Sequence, residues 1–332
     1  MLVALLLSAV SPPGHASSPA PKARAPKPTS ARAHTRADKS KTKKKKRART
    51  GSAGASRRPE APATRPAVHV ASLTPLSAAI RCPDEMVAVA GRFCIDRYEA
   101  SLVQADSGEA LSPYYPPSRE LAASLFETWS RSHDEAPEGS LARTMAVPPP
   151  FGFASGPIRP MARSVAGAVP SGYVSGVLAA EACKAAGKRL CKDTEWTTAC
   201  RGEAGTVFPY GSVYRQGACN VFREEHPAHL LHGNFSLYHQ DPRLNQVACD
   251  SRPLLRVTGE TSSCASRWGD DAVYDMVGNL DEWIDDPEGT FLGGFYSRAT
   301  RSGCDARISG HPIDYFDYST GVRCCEDGET RD

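Results

Sequence analysis

The sequence predicts a loop-rich α+β domain behind a basic N-terminal segment. Three observations predict this fold class: short alternating strand patterns, a few short helical patterns, and long stretches of Gly, Pro and Ser between them. The eleven cysteines all lie between Cys82 and Cys325, and no two have C-x-x-C spacing. Disulfides are therefore their expected use, and because eleven is odd at least one thiol stays unpaired within the chain.

Charge is distributed unevenly along the 332 residues, although the formal net charge is only +3. Residues 22–66 contain 16 Lys and Arg against 2 Asp and Glu, which leaves 24 basic and 35 acidic residues, a balance of −11, for the rest. This acidic body argues against nucleic-acid binding by the folded part, because affinity for nucleic acid comes largely from positive charge.

Residues 1–16 have the pattern of a signal peptide. Leu2–Val10 is an apolar run of nine residues, shorter than the roughly 20 residues that cross a bilayer but within the range of the apolar part of an export signal. Small residues follow, and we expect cleavage after Ala16. Export to the periplasm, the cell envelope or the medium agrees with the cysteine content, because disulfides persist in oxidising compartments.

Residues 17–77 form the predicted linker, which is rich in Pro, Ala and Lys and nearly free of large apolar side chains. Such a composition buries too little apolar surface to offset the entropy of ordering, so we expect disorder. Its most basic part, KTKKKKRAR at 41–49, has two interpretations: a contact with an anionic surface, or a solvated spacer without a partner. We expect no transmembrane anchor, and a monomer.

The predicted domain occupies residues 78–328 and begins with a β-hairpin. Met86–Ala90 and Phe93–Asp96 read as two strands around a Gly-Arg turn. Cys82 and Cys94 flank this hairpin, and a disulfide between them would hold it together.

A long irregular insertion is predicted at 103–172, where Pro, Gly and Ser are frequent and one helical patch, Arg119–Ser130, stands out. Two clearer helices follow. The first begins at Ser175 and ends at Gly187, and the second is capped by Asp193 in the segment DTEWTTACRG. The last third of the chain has almost no helical period, which predicts short strands and loops.

Two further segments carry chemistry-bearing residues without a recognisable motif. The histidines of HPAHLLH at 226–232 are assigned to a surface loop, since no carboxylate-bearing zinc motif accompanies them and no two-His or three-His iron cluster can be assembled. The run DYFDYST at 314–320 either lines a ligand cleft or packs in the core beside Trp268, and the sequence leaves both open.

Seven short segments form an ordered set along the domain. They are GKRLCKDTEW at 187–196, ACRG at 199–202, FPYG at 208–211, CN at 219–220, YDMVGNLDEW at 274–283, GGFY at 293–296 and GVRCC at 321–325. In this order the set resembles the formylglycine-generating enzyme / sulfatase-modifying factor domain family. The resemblance covers residues 82–327 and implies an α+β, loop-rich fold, the sulfatase-modifying-factor variant of the C-type-lectin-like fold.

Calcium is the metal that the resemblance implies. The equivalent family loop binds calcium through the side chains at Asp275 and Glu282 and the backbone oxygens at Gly278 and Leu280. The residue types suit the ion, because calcium takes about six to eight oxygen ligands from carboxylates and carbonyls of a curled loop. The alternative is a purely structural loop in which Asn279 and Glu282 cap backbone groups.

A second family calcium site maps onto two residues of this chain. It uses an Asn and the next backbone carbonyl, which correspond to Asn220 and Val221. The remaining ligands of this second site cannot be placed on the sequence.

Copper is required by the family's oxidase, which converts a substrate cysteine to formylglycine with oxygen and copper(I) held by two cysteines. Here Arg298 stands in the place of the first cysteine, Cys304 falls near the second, and Phe295 replaces the usual serine. One thiolate cannot hold copper(I) as a pair does. Cys304 is the only catalytic candidate, and a structural disulfide to Cys324 or Cys325 is the favoured alternative for it.

The sequence therefore predicts an exported family member that lacks the copper-dependent oxidase activity and acts as a calcium-stabilised accessory or binding module for an unknown protein or envelope ligand. The alternative is a formylglycine-generating oxidase that acts on a cysteine of a sulfatase-type protein, with copper held by Cys304 and a second thiol. Whether the protein is an enzyme thus depends on the state of Cys304.

Overall fold

The computed structural model describes residues 80–150, 156–298 and 301–330, which lie in one compact unit spanning Val70–Asp332. The predicted signal peptide at 1–16 and the predicted linker at 17–77 lie outside the described residues. Within the described ranges, no helix combines the length and the apolar character that crossing a membrane requires.

The described residues form short strands and helices joined by many loops, a mixed α and β architecture as predicted. The strands are β1 (Ile80–Arg81), β2 (Met86–Val89), β3 (Phe93–Asp96), β4 (Ala100–Gln104), β5 (Pro160–Ser164), β6 (Arg189–Leu190), β7 (Ala248–Cys249), β8 (Arg252–Pro253), β9 (Ala265–Trp268), β10 (Asp271–Tyr274), β11 (Asp281–Trp283), β12 (Thr290–Leu292), β13 (Arg307–Ser309), β14 (Thr320–Val322), β15 (Cys324–Glu326) and β16 (Glu329–Thr330). The helices are α1 (Arg119–Glu135), α2 (Leu141–Thr144), α3 (Gly176–Ala185), α4 (Asp193–Arg201) and α5 (Pro227–His232), with 3-10 helices at Leu244–Gln246 and Gly303–Asp305.

Two four-stranded sheets position the site. One has the order β2-β3-β15-β6, and the other has the order β13-β12-β11-β14. Strands β11 and β14 run parallel, with Glu282 opposite Gly321, whereas β15 pairs antiparallel with both β3 and β6. Because β14 and β15 are consecutive, the single residue between them, Arg323, lies where the two sheets meet.

The N-terminal hairpin forms as predicted. Strands β2 and β3 pair antiparallel, and the turn residues Ala90 and Gly91 both have positive φ, at 51° and 63°. Two successive residues with positive φ match the twist of a tight hairpin, which explains a glycine here. The predicted disulfide between Cys82 and Cys94 is present.

The two clearer helices also form, with one difference in capping. Helix α3 begins directly after Ser175, where its start was predicted, and the Ser175 hydroxyl caps it by accepting a hydrogen bond from the Leu178 N–H at 3.3 Å. Helix α4 is capped at Lys192 and not at Asp193, which is its first helical residue. The Glu195 carboxylate accepts from the Lys192 N–H at 2.9 Å, so the acidic side chain one turn into the helix satisfies the free backbone donor.

The segment predicted as an irregular insertion contains α1, α2 and β5, and β5 pairs with β4. Helix α1 extends five residues beyond the predicted patch, to Glu135. Apolar residues recur only weakly along this helix, because Ala122 and Trp129 are the only helix residues that are buried. The helical signal in the sequence was therefore shorter than the helix.

Five disulfides cross the domain. They are Cys82–Cys94, Cys183–Cys324, Cys191–Cys325, Cys200–Cys304 and Cys219–Cys264. Cys249 is the free cysteine of the described residues, as the odd count required. The predicted pairing of Cys304 with Cys324 or Cys325 is wrong: neighbouring side chains of β15 point to opposite faces, where Cys183 of α3 and Cys191 after β6 meet them.

Candidate functional site

A buried cluster of charged groups lies around Arg323, which is fully buried between the two sheets. Its Nε donates to both carboxylate oxygens of Glu282, at 3.0 and 2.9 Å, and its Nη2 donates to Glu282 Oε1 at 2.7 Å. Trp196 Nε1 donates to Glu282 Oε2 at 2.6 Å. Hydrogen bonds to charged groups that are made in pairs are among the strong ones, so the Glu282 side chain is held in one position.

Two more carboxyl groups belong to the same cluster. Glu99 accepts from the Leu280 N–H at 2.9 Å and from the Asn279 side-chain amide. Asp275 accepts from the Gly259 N–H at 2.7 Å. Burial raises the pKa of Glu99 well above its usual range, and the negative charges of Asp275 and Glu282 raise it further. Burial also raises the pKa of Asp275 to about 7.

The loop that carries Asp275, Gly278 and Leu280 is tightly curled. Asp275 and Asn279 both have positive φ, at 61° and 60°, a conformation that costs free energy in residues other than glycine. Gly278 has φ of 84°, and a Cβ there would lie 2.1 Å from the Asn220 carbonyl oxygen. Only glycine fits this close approach, which explains the residue at the centre of the motif.

The cluster has an excess of negative charge that bears on calcium. Glu99, Asp275 and Glu282 face one guanidinium, that of Arg323, so full ionisation leaves two negative charges without compensation. Buried charges need a partner, and here it is either two protons or a divalent cation. Within the described ranges, no group of three or more His, Cys, Asp or Glu side chains is placed to hold a metal ion, so calcium at this loop stays a prediction. Glu282 is already bound to Arg323, which leaves Glu99 and Asp275 as the carboxylates of the cluster without a guanidinium partner.

Glu99 is a member of the cluster that the sequence analysis did not predict. It lies three residues beyond the end of β3 and far along the chain from the loop it joins, so no local spacing connects the two. The sequence signal that could have indicated it is a lone acidic residue next to apolar strands.

The position implied for the first copper cysteine holds an ion pair. Arg298 Nη1 lies 2.7 Å from Asp281 Oδ1, and the guanidinium carbon lies 5.3 Å from the centre of the Phe295 ring. Asp281 is fully buried, which raises its pKa to about 7 although Arg298 opposes that shift. A guanidinium, a carboxylate and a phenyl ring offer hard or apolar contacts and no soft ligand for copper(I).

Cys304, the catalytic candidate, lies in the 3-10 helix after this ion pair and forms a disulfide with Cys200 of α4. Both cysteines are fully buried in the core around Trp196 and do not line an open cleft. The cystine has no thiolate, so it is neither a nucleophile nor a copper(I) ligand while the bond is intact. The residues at this place therefore do not fit the copper centre of the family.

Asn220, predicted at the second calcium site, forms hydrogen bonds through both its side chain and its backbone oxygen. Its side-chain amide donates to the Leu254 carbonyl and to Asn279 Oδ1, both at 2.9 Å, and its Oδ1 accepts from Arg223 Nε at 3.0 Å. Its backbone oxygen accepts from the Asn279 N–H at 2.8 Å. Asn220 thus ties its own loop to the predicted calcium loop, and Val221 packs in the core.

The histidines of HPAHLLH do not converge on one point. They lie at the start and along α5, where a surface loop was predicted. His226 Nε2 is 3.1 Å from the Tyr318 hydroxyl, His229 stacks on Phe235, and His232 pairs with the buried Asp241 at 2.8 Å. Burial lowers the pKa of His226 to about 4, so its ring is neutral.

The aromatic run at 314–320 contributes to the core. Tyr318 is buried in the cluster that contains Tyr173 and Tyr296, whereas Trp268 packs against a different cluster. The sequence left open a ligand cleft or core packing beside Trp268. Tyr318 does pack in the core, but not beside Trp268.

Several solved structures of low sequence identity are similar to this chain. They include the Major Tropism Determinant I1 variant, with 15% identity and a TM-score of 0.39 over 77% of this chain and 55% of that one, so the chain spans about half of its length. CarF has 12% identity and a TM-score of 0.31 over 71% and 86% of the two chains. PvdO from Pseudomonas aeruginosa has 16% identity and a TM-score of 0.32 over 76% and 92%.

Sequence comparisons give two results. No curated protein sequence matches the chain. The profile of the sulfatase-modifying factor enzyme 1-like domain matches residues 159–324, which is half of the 332 residues. This match includes the acidic loop, the Arg298–Asp281 pair and the Cys200–Cys304 disulfide described above. The chain therefore belongs to the sulfatase-modifying factor enzyme 1-like domain family.

Proposed function

We propose that this chain is a family member without copper-dependent oxidase activity, which serves as an exported accessory or binding module. The observation that carries the proposal is the pairing of Cys304 with Cys200 inside the core, beside an ion pair between Arg298 and Asp281. Copper(I) needs soft ligands, and a pair of thiolates is the family's means of holding it. In this chain Arg298 occupies the position of one cysteine ligand. The cysteine near the other position, Cys304, is part of a disulfide.

A peptide oxidation assay tests this proposal. The folded, unreduced chain is incubated with copper(I), oxygen and a peptide that carries a sulfatase-type cysteine, and the aldehyde product is measured by mass spectrometry. We expect no formylglycine above the level of a reaction without protein. Conversion of the peptide that disappears in a Cys304→Ala variant would overturn the proposal and support the alternative, a formylglycine-generating oxidase acting on a sulfatase-type protein.

Calcium is proposed as a stabilising ion and not as a catalytic one. The support is the two uncompensated negative charges among Glu99, Asp275 and Glu282, together with the tight curl of the loop that contains Gly278 and Leu280. Bound calcium would lower the cost of keeping Glu99 and Asp275 ionised in the interior. For the second set, Asn220 and Val221, calcium stays a prediction without such support. The oxygens of Asn220 already accept hydrogen bonds, and both residues line a groove that also contains three arginines.

Calcium should therefore raise the thermal midpoint of the chelator-treated protein. At a concentration of about 100 times the dissociation constant, binding to the folded state alone adds roughly 2.7 kcal/mol, or about 5–10 °C for a domain of this size. A Glu99→Gln variant should lose most of this shift, whereas Glu203→Gln, which changes an exposed carboxylate elsewhere, should keep it. No calcium-dependent shift in the unaltered chain would contradict the proposal.

We propose the domain layout that the sequence predicts. It consists of a signal peptide at 1–16, a basic linker at 17–77 and a sulfatase-modifying-factor-type domain with the C-type-lectin-like fold at 78–328. Five disulfides support an oxidising compartment, which agrees with export to the periplasm, the envelope or the medium. The partner is proposed to be a protein or an envelope ligand, with the basic segment at 41–49 available for an anionic surface.

A further inference from the structure

A groove on the domain is lined by three arginines. It has a volume of about 420 Å³ and lies between residues 216–223 and residues 252–263. The arginines are Arg223, Arg252 and Arg256, and the only acidic residue among its lining side chains is Glu260. The groove is separate from the position of Arg298 and Cys304, so a ligand could bind there whether or not the chain has oxidase activity.

Glu260 is shared between two of the arginines. Its Oε1 lies 2.6 Å from Arg252 Nη2 and 2.5 Å from Arg256 Nη1. One carboxylate oxygen thus serves two guanidinium groups, which leaves most of their N–H donors for other acceptors. The Arg256 side chain is only 8% exposed, and its buried Nε has no hydrogen-bond partner within the described part of the chain.

Arg223 adds a third positive charge without a carboxylate of its own. Its Nε donates to Asn220 Oδ1, and among the described residues it forms no ion pair. Burial lowers the pKa of Arg223, and the positive charges of Arg256 and Arg252 lower it further, whereas the negative charge of Glu225 opposes this shift. With Glu260 counted, the groove carries an excess of about two positive charges.

We propose that this groove binds a tetrahedral dianion, the phosphate monoester group of a larger ligand. The charge of such a group matches the excess of two, and its oxygens match the planar donor forks of arginine. The side chains of Thr261 and Ser262, which also line the groove, supply further donors. The volume of the groove exceeds that of a bare ion, so it has room for part of the molecule that carries the anionic group.

Anion titration of the whole domain tests this site. Sodium phosphate, sodium sulfate and sodium acetate are titrated at constant ionic strength, with binding followed by calorimetry. We expect saturable binding of phosphate or sulfate, and at least tenfold weaker binding of acetate, which carries one charge. Inorganic sulfate serves here as a second tetrahedral dianion, whereas the sulfate group of an ester carries one charge, so the ligand that matches the groove is a phosphate monoester.

Two substitutions connect the binding to the groove. Arg223→Gln and Arg252→Gln alter its more accessible arginines and should each weaken binding of the preferred anion at least tenfold, with circular dichroism unchanged. Arg92→Gln, in the exposed turn between β2 and β3, is the matched control and should bind as the unaltered chain does. Binding that is equal for all three anions, or unchanged in both groove variants, would overturn the proposal.

Discussion

Replacement of Arg323 by methionine should lower the free energy of unfolding by roughly 3–5 kcal/mol, which is the cost of leaving a buried charge without its partner. Arg323 is the only guanidinium among Glu99, Asp275 and Glu282, and it also donates to the backbone carbonyls of Asp96 and Tyr274 at 2.9 and 2.8 Å. Loss of Arg323 would therefore leave the carboxylate cluster without a positive charge and two backbone carbonyl oxygens without their donor. Urea unfolding at pH 7.5 measures the change.

The control for this prediction is Arg97→Met. Arg97 pairs with Asp271 at 2.8 Å near the surface, where side-chain exposures are 22% and 54%. An ion pair at such a site contributes about 0–1 kcal/mol, so this variant should lose far less stability. Equal losses in the two variants would contradict the importance of the buried cluster. Adding Glu282→Gln to Arg323→Met should recover part of the loss, because it removes one of the stranded charges.

The second large effect is expected on removal of the Cys200–Cys304 disulfide by a double substitution to alanine. The two cysteines are 104 residues apart, and for a loop of this length the chain-entropy relation predicts a loss of about 4.7 kcal/mol, near the top of the usual range of about 2–5. The other disulfides restrict the unfolded chain already, which places the expected loss toward the lower half of this range. Urea unfolding of the unreduced protein measures it.

Cys249→Ala is the matched control for the disulfide variant, because Cys249 is a cysteine of the same domain that forms no disulfide. We expect it to change the free energy of unfolding by less than about 1 kcal/mol. If the double variant lost no more stability than Cys249→Ala, Cys200 and Cys304 would not be bonded in the folded protein, and the structural role assigned to them would fail.

Local features were predictable from the sequence. The hairpin of β2 and β3, the Ser175 cap of α3 and the first disulfide all depend on residues close together in the chain, where turn and capping chemistry decide the outcome. The order of seven segments indicated the family, and the family match confirms it. The replacement of a copper cysteine by Arg298 was also visible, since it needs only a residue type at a position.

Long-range features were not predictable in the same way. Glu99 joins the acidic loop through the fold, and the partner of Arg298 is Asp281, which appeared in the sequence only as part of a carboxylate-rich motif. The predicted disulfide partner of Cys304 was wrong because the eleven cysteines allow many connectivities, and their spacing alone does not select one. These contacts are set by how the sheets and α4 pack, which no local pattern encodes.

The proposed function depends most on the claim that the residues at the family's copper position do not bind copper(I) in this chain. Titration of the folded, unreduced protein with copper(I), in ascorbate and against a chromophoric chelator, tests this claim most directly. We predict no stoichiometric binding, and no difference between the unaltered chain and the double variant Cys200→Ala, Cys304→Ala, which leaves neither thiol free. One tightly bound copper(I) per unaltered chain that is lost in the double variant would contradict the proposed function.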